Sequence, residues 1–116
     1  MKILCLCSKG VVRSVACARE LKLHGHDALA AGVDINGIET INMLCYWADK
    51  ILLAEPEMET MLPTSTSVRT QIDREFRKGK DVWKSAADPG LKDIVKVRLY
   101  EVGLIPSPFK YESKIR

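Results

Sequence analysis

Aromatic residues make up only 6% of the 116 positions, and there are two histidines. No CxxC pair occurs, and His24 and His26 stand alone two residues apart. A zinc site is therefore not expected, and these histidines read as partly exposed residues on a helix-to-strand loop. No apolar run approaches the roughly 18 residues of a membrane span, so no membrane partner is expected. The opening MKILCLC carries a lysine and a short apolar stretch, but Ser8-Lys9-Gly10 interrupts it before a signal-peptide core is complete. Charge of one sign is also scarce: 18 Lys and Arg against 15 Asp and Glu leave +3. That balance suits an anionic ligand and is too slight to argue for nucleic acid. Four cysteines are present, at 5, 7, 17 and 45, and none follows Cys45. Without a secretory signal they read as reduced thiols in a cytoplasmic protein. What the chain does have is 47% hydrophobic residues, enough for one packed core over residues 1–116 and too many for wholesale disorder.

The chain alternates between two periods. Lys2–Leu6 (KILCL) is a short apolar run before a glycine-containing turn, as a buried parallel strand would be. Arg13–Leu23 has helical spacing, with Val15, Ala18 and Leu21 inward, Arg19, Glu20 and Lys22 on the wet side, and Gly25 as its stop. A second strand is expected over Ala28–Val33, with Gly32, Asn36 and Gly37 as turn residues. Ile38–Trp47 reads as a second helix with a broad apolar face, and Lys50–Ala54 as a third strand. Glu55-Pro56 could open a short helix, Pro63–Ser67 is polar like a loop, and Val68–Asp73 is a weaker fourth strand. Arg77–Lys80 is a basic turn. Asp88-Pro89 opens a last helix, Asp at the N-cap and Pro at the first helical position, with Leu91, Ile94, Val95, Leu99 and Val102 as its core stripe and Gly103 as its stop. Such alternation predicts a single three-layer α/β domain: a four-stranded parallel sheet with right-handed crossovers, flanked by helices.

Between the first strand and the first helix lies Cys7-Ser8-Lys9-Gly10-Val11-Val12-Arg13-Ser14. Of the four cysteines only Cys7 has an arginine six positions later. Five intervening residues can wrap once around a tetrahedral oxyanion, so that the backbone N–H groups of Ser8, Lys9, Gly10, Val11 and Val12 converge on its oxygens. The helix N-terminus behind them adds partial positive charge. Arg13 can fork onto two oxygens, and Gly10 permits a positive φ in mid-loop. The same field favours a thiolate at Cys7, and Ser14 could donate its hydroxyl to that sulfur.

CSKGVVRS, after an apolar strand and before a helix, resembles the active-site loop of the low-molecular-weight protein tyrosine phosphatases. HDALAAGV (His26 to Val33) is similar to that family's second-strand region. YWADKILLAE (Tyr46 to Glu55) is similar to its Ala-Asp third strand. Asp81-Val82-Trp83 resembles an Asp-x-aromatic general-acid loop, and Asp88-Pro89-Gly90-Leu91 resembles the cap of the last helix in a shortened branch. The chain departs from the usual pattern in having Lys9 for Gly, Gly10 for Asn and Val12 for a second cysteine, and it is shorter than typical members.

The resemblance implies that Cys7 attacks phosphorus and forms a phosphocysteine, while Arg13 and the loop amides hold the equatorial oxygens. An aspartate then protonates the leaving oxygen and activates water, with no metal or other cofactor. Asp81, after a flexible basic turn, is the candidate acid, and Asp88, which helix capping already explains, is the second. The implied substrate is a phosphorylated protein or small phosphate ester, preferably an aryl phosphate. Cys5, two residues back on the strand, and Cys17, one helical turn past Arg13, could be resolving thiols or simply buried packing. Tyr46 and Trp47 suit core packing, and Trp83 could wall a site. Three other functions stay open: a cysteine phosphocarrier, since Cys-Ser-x-Gly also resembles the IIB domains of sugar phosphotransferase systems; an arsenate reductase, disfavoured by the lack of late cysteines; and a phosphate-binding domain without catalysis. Oligomeric state is not legible.

Overall fold

Strand β1 (Lys2–Cys7) is the axis of the molecule. In the computed structural model, which describes residues 1–7, 12–54, 62, 69–71 and 85–106, it is followed by α1 (Arg13–Leu23), β2 (Asp27–Gly32), α2 (Ile38–Trp47), β3 (Lys50–Leu53), the three-residue β4 (Arg69–Gln71) and α3 (Pro89–Glu101). Both β2 and β3 pair with β1 in parallel, Cys7 standing in register with Gly32 and Leu6 with Leu53. β4 runs parallel along the outer side of β3. Among the described residues the result is a small α/β arrangement of three helices and a parallel sheet ordered β2-β1-β3 at its centre.

Residues Ile3 to Cys7 are all buried, at 3% exposure or less. Five consecutive buried side chains on a strand, pointing alternately to its two faces, require cover on both faces. The topology provides it. From β1 the chain crosses to β2 on one side, then returns past β1 to β3 on the other, and right-handed crossovers in opposite directions place their helices on opposite faces. α1 packs on β1, β2 and α3, and α2 meets β1.

Helix α1 is buried more completely than its periodicity implies. Arg13, Ser14, Ala16, Cys17, Ala18, Glu20 and Leu21 are all buried. Small side chains at 16, 17 and 18 let the helix sit close to the sheet on one side and α3 on another. Glu20 is not on the wet side as its charge suggested. It is 8% exposed, with Oε2 3.1 Å from His24 Nε2 one turn on, while Leu23 is 79% exposed. Helix α2 departs in the other direction. Of its broad apolar face only Ile41 and Cys45 are buried, whereas Ile38, Met43 and Tyr46 are exposed. The reason is that one helix packed on one strand covers a narrow stripe, so apolar residues beyond that stripe stay in solvent.

The helix ends follow from single residues. α1 and α3 close with the same arrangement, a glycine at positive φ (Gly25 at 86°, Gly103 at 79°) and paired N–H bonds back into the last turn. Gly25 N–H reaches Lys22 O and His26 N–H reaches Leu21 O. Likewise Gly103 N–H reaches Tyr100 O and Leu104 N–H reaches Leu99 O. The two ends are tied together by His26, whose Nε2 lies 2.8 Å from the Leu104 carbonyl oxygen. A carbonyl only accepts, so Nε2 carries the proton. At the start of α3, Asp88 Oδ1 accepts from Gly90 N–H at 2.8 Å and Leu91 N–H at 3.2 Å, with Pro89 in the first turn. This helix follows its sequence pattern closely: Leu91, Val95 and Leu99 are buried. Strand β1 runs one residue beyond the expected Leu6, and β2 begins and ends one residue before the expected Ala28–Val33. The short helix after Pro56, the loop 63–67 and the basic turn 77–80 lie outside the described residues.

Leu52, fully buried, should cost about 2–5 kcal/mol when changed to Ala, and Asp88→Ala about 0.5–2 kcal/mol through loss of the cap. Leu23→Ala should change stability by less than about 0.5 kcal/mol. Urea denaturation of the three variants beside the parent chain measures all of these.

Candidate functional site

The strand order places a crevice before any side chain is considered. In open parallel sheets, ligands bind beyond the carboxyl ends of the strands where the direction of winding reverses. Here the reversal lies between β1 and β3, and the residue at the carboxyl end of β1 is Cys7. Its carbonyl accepts from Val33 N–H at 2.9 Å, and the preceding Leu6 carbonyl accepts from Ala54 N–H at 2.9 Å. Both neighbouring strands therefore fasten the backbone on which this sulfur stands. Beyond β2, Asn36 Oδ1 accepts from Gly32 N–H at 2.9 Å and fixes the turn that leaves the register partner of Cys7.

Helix α1 begins opposite. Val12 is its N-cap residue, no side chain caps it, and its first turn holds no acidic residue. Partial positive charge from the first N–H groups is thus not offset by a carboxylate within the helix. The first two helical side chains, Arg13 at 6% exposure and Ser14 at 2%, are buried. The Cys7 thiol donates to Ser14 Oγ at 3.1 Å, a buried bond. If the sulfur ionises, the same pair can be kept by reversing the bond, the hydroxyl donating to the thiolate.

Two further sulfurs stand behind this pair. Cys5 and Cys17 are 1% and 2% exposed, and none of the four cysteines is in a disulfide. Together with Leu6, Arg13, Ser14, Leu52 and Ala54 they line a narrow crevice too tight to seat a water. The Cys17 thiol is held well above the ordinary cysteine range. The largest cause is its hydrogen bond with Cys5, followed by burial and by the charges that Cys5 and Cys7 would carry; Arg13 pulls the other way. Cys17 is therefore a neutral thiol at neutral pH.

The structure thus brings Cys7, Arg13 and Ser14 together and sets Val12 at the helix cap. Ser8, Lys9, Gly10 and Val11, expected to complete the anion loop, lie outside the described residues, as do Asp81 and Trp83. Asp88 is engaged in capping α3. Tyr46 is exposed and not a core residue, and Trp47, half-buried, lies under the Lys2 ammonium at 6.0 Å. Among the described residues no group of three or more His, Cys, Asp or Glu is arranged to hold a metal ion, and no helix is long and apolar enough to cross a membrane. The Cys5–Cys17 bond was the feature least visible beforehand. Its only sequence signal was the i, i+2 spacing to Cys7 on a strand and the one-turn spacing from Arg13 on a helix.

Comparison with protein-family models, with curated proteins and with solved structures finds no match to this chain. The site is accordingly read from its own chemistry.

A thiol whose ionisation is resisted only in the folded state makes stability fall with pH. Between the unfolded value of about 8.5 and the raised folded value, the unfolded chain has released the proton and the native chain has not, so the slope approaches about −1.4 kcal/mol per pH unit. Urea midpoints measured under reducing conditions between pH 7.5 and 10 should decline more steeply for the parent chain than for Cys17→Ala. Parallel declines would show that Cys17 titrates alike in both states.

Proposed function

We propose that this protein is a cysteine-dependent phosphatase of the low-molecular-weight tyrosine phosphatase type, hydrolysing phosphate monoesters and preferring aryl phosphates such as phosphotyrosine. The observation that carries the reading is the buried Cys7–Ser14 bond at the mouth of β1, with Arg13 buried beside it at the start of α1. Sulfur, guanidinium and helix N-terminus come from eight consecutive residues, and their placement at the switch point of the sheet is where a ligand belongs.

On this reading Cys7 is the nucleophile. Ser14 donates to its thiolate and orients it, so the sulfur attacks phosphorus opposite the leaving oxygen. The backbone amides from Ser8 to Val12 surround the phosphoryl group, forming the anion loop that the four-stranded sheet presents after its first strand. Arg13 forks onto two of the equatorial oxygens, where charge concentrates in the transition state. Burial strengthens these interactions, because little water competes with them. Asp81 supplies the proton to the leaving oxygen. In the second step it takes one from the water that cleaves phosphocysteine. The capping role of Asp88 supports Asp81 as the acid, since Asp88 could reach a substrate only by abandoning the two N–H groups it caps at the start of α3.

The parent chain should hydrolyse an aryl phosphate at a steady rate, Cys7→Ser should fall to background, and Arg13→Ala should lose at least about 10²–10³-fold in kcat/KM. Asp81→Ala should lose about 10²–10⁴-fold, most for leaving groups of high basicity, and Asp88→Ala should keep the rate while losing stability. A burst of one equivalent with phosphocysteine trapped would instead identify a phosphocarrier. Tight phosphate binding without turnover would identify a binding domain.

A further inference from the structure

Three of the four cysteines meet at one end of β1 and the first turns of α1. Cys5 and Cys7 lie two residues apart on β1 and point to the same face of the sheet. They cannot bridge each other: at about 3.3 Å per residue their Cβ atoms stand roughly 6.6 Å apart, and a disulfide needs about 3.5–4.5 Å. Cys17 comes from the helix packed over that face. It shares the crevice with Cys5, is hydrogen-bonded to it, and lies within electrostatic range of Cys7. A single sulfur on α1 thus faces two sulfurs on β1 that cannot pair with each other.

We propose that Cys17 and Cys5 form a dithiol relay that removes peroxide oxidation from Cys7. The proposal rests on Cys7 being the reactive sulfur of the site proposed above. The oxidant is hydrogen peroxide or another small hydroperoxide. Cys7 sulfur attacks the O–O bond, takes one oxygen as sulfenic acid and releases water. Cys17 sulfur attacks the sulfenic sulfur; the Cys7–Cys17 disulfide forms, and the hydroxyl leaves with the Cys17 proton as a second water. Cys5 sulfur then attacks Cys17. The Cys5–Cys17 bond forms, the Cys7–Cys17 bond breaks, and Cys7 departs as a thiol bearing the Cys5 proton. The two electrons taken by the peroxide have come from Cys5 and Cys17, and an external dithiol restores them.

The sequence makes the products separable. Trypsin places Cys5 and Cys7 on Ile3–Lys9 and Cys17 on Ser14–Arg19, so a cross-link joins these two peptides and fragmentation locates it. Folded protein is treated with one equivalent of hydrogen peroxide, alkylated and mapped, with aryl phosphate turnover measured in parallel. The parent chain should give a Cys5–Cys17 cross-link with Cys7 alkylated. Cys5→Ser should stop at Cys7–Cys17, and both Cys17→Ser and Cys17→Ala should give no cross-link and accumulate the sulfinic acid at Cys7. Sulfinic acid at Cys7 in the parent chain, a cross-link through Cys45, or a final Cys7–Cys17 bond in the parent chain would overturn the relay, and the parent mapping needs no variant to fold. Cross-linking without phosphatase turnover would sink the proposed function and leave the relay standing. Turnover without cross-linking would do the reverse.

Discussion

The close approach of the end of β1 to the start of α1 is the constraint on which the rest of the structure depends. A parallel sheet needs its central strand covered on both faces, and the helix that follows β1 must turn back immediately to provide one of the covers. That reversal directs the first N–H groups of the helix toward the end of the strand. It also buries whatever side chains occupy the facing positions. In this chain those are Cys7 on the strand and Arg13 and Ser14 on the helix. Polar groups held in such a place must find partners, because leaving one without them costs of order 1–3 kcal/mol. The Cys7–Ser14 bond is one result of that requirement.

The same packing governs the chemistry of the sulfurs. Ala16, Cys17 and Ala18 are small enough for α1 to lie close on the sheet, and that closeness brings Cys17 against Cys5. The hydrogen bond shared with Cys5, and then burial, keep Cys17 protonated, while Arg13 opposes them at the helix start. Sulfurs close in space are thus placed in unlike surroundings. Cys7 stands at the strand end with a hydroxyl partner, and Cys5 and Cys17 lie behind it in a crevice without room for water.

Much of this was legible in the residues. The Cys-x5-Arg-Ser spacing between an apolar strand and a helix marked Cys7, Arg13 and Ser14 as neighbours, because a strand, a tight loop and a returning helix leave few geometries for so short a segment. The stops at Gly25 and Gly103 and the start at Asp88-Pro89 were equally readable, being local: each depends on one residue's allowed φ or on one side chain reaching the next turn. The polarity of individual helix positions was less reliable. Glu20 looked solvent-facing and is buried, with His24 one turn on as its partner, in a helix that also packs on α3, distant in sequence. Ile38 and Met43 looked buried and are exposed, since periodicity reports which residues could pack and not how wide a surface the neighbouring strand offers.

By itself the sequence determined the alternation of strand and helix, the parallel sheet that such alternation requires, and the adjacency of a cysteine, an arginine and a serine across one short turn. The alternation and the adjacency are set by contacts between residues close in the chain, and strands separated by single helices pair in parallel. Only the tertiary structure decided that β2 and β3 flank β1, which puts Cys7 at the reversal of the sheet, and that Cys17 reaches Cys5. Strand order and the depth at which a helix rests on a sheet arise from packing between segments far apart in the chain, and no local pattern carries them.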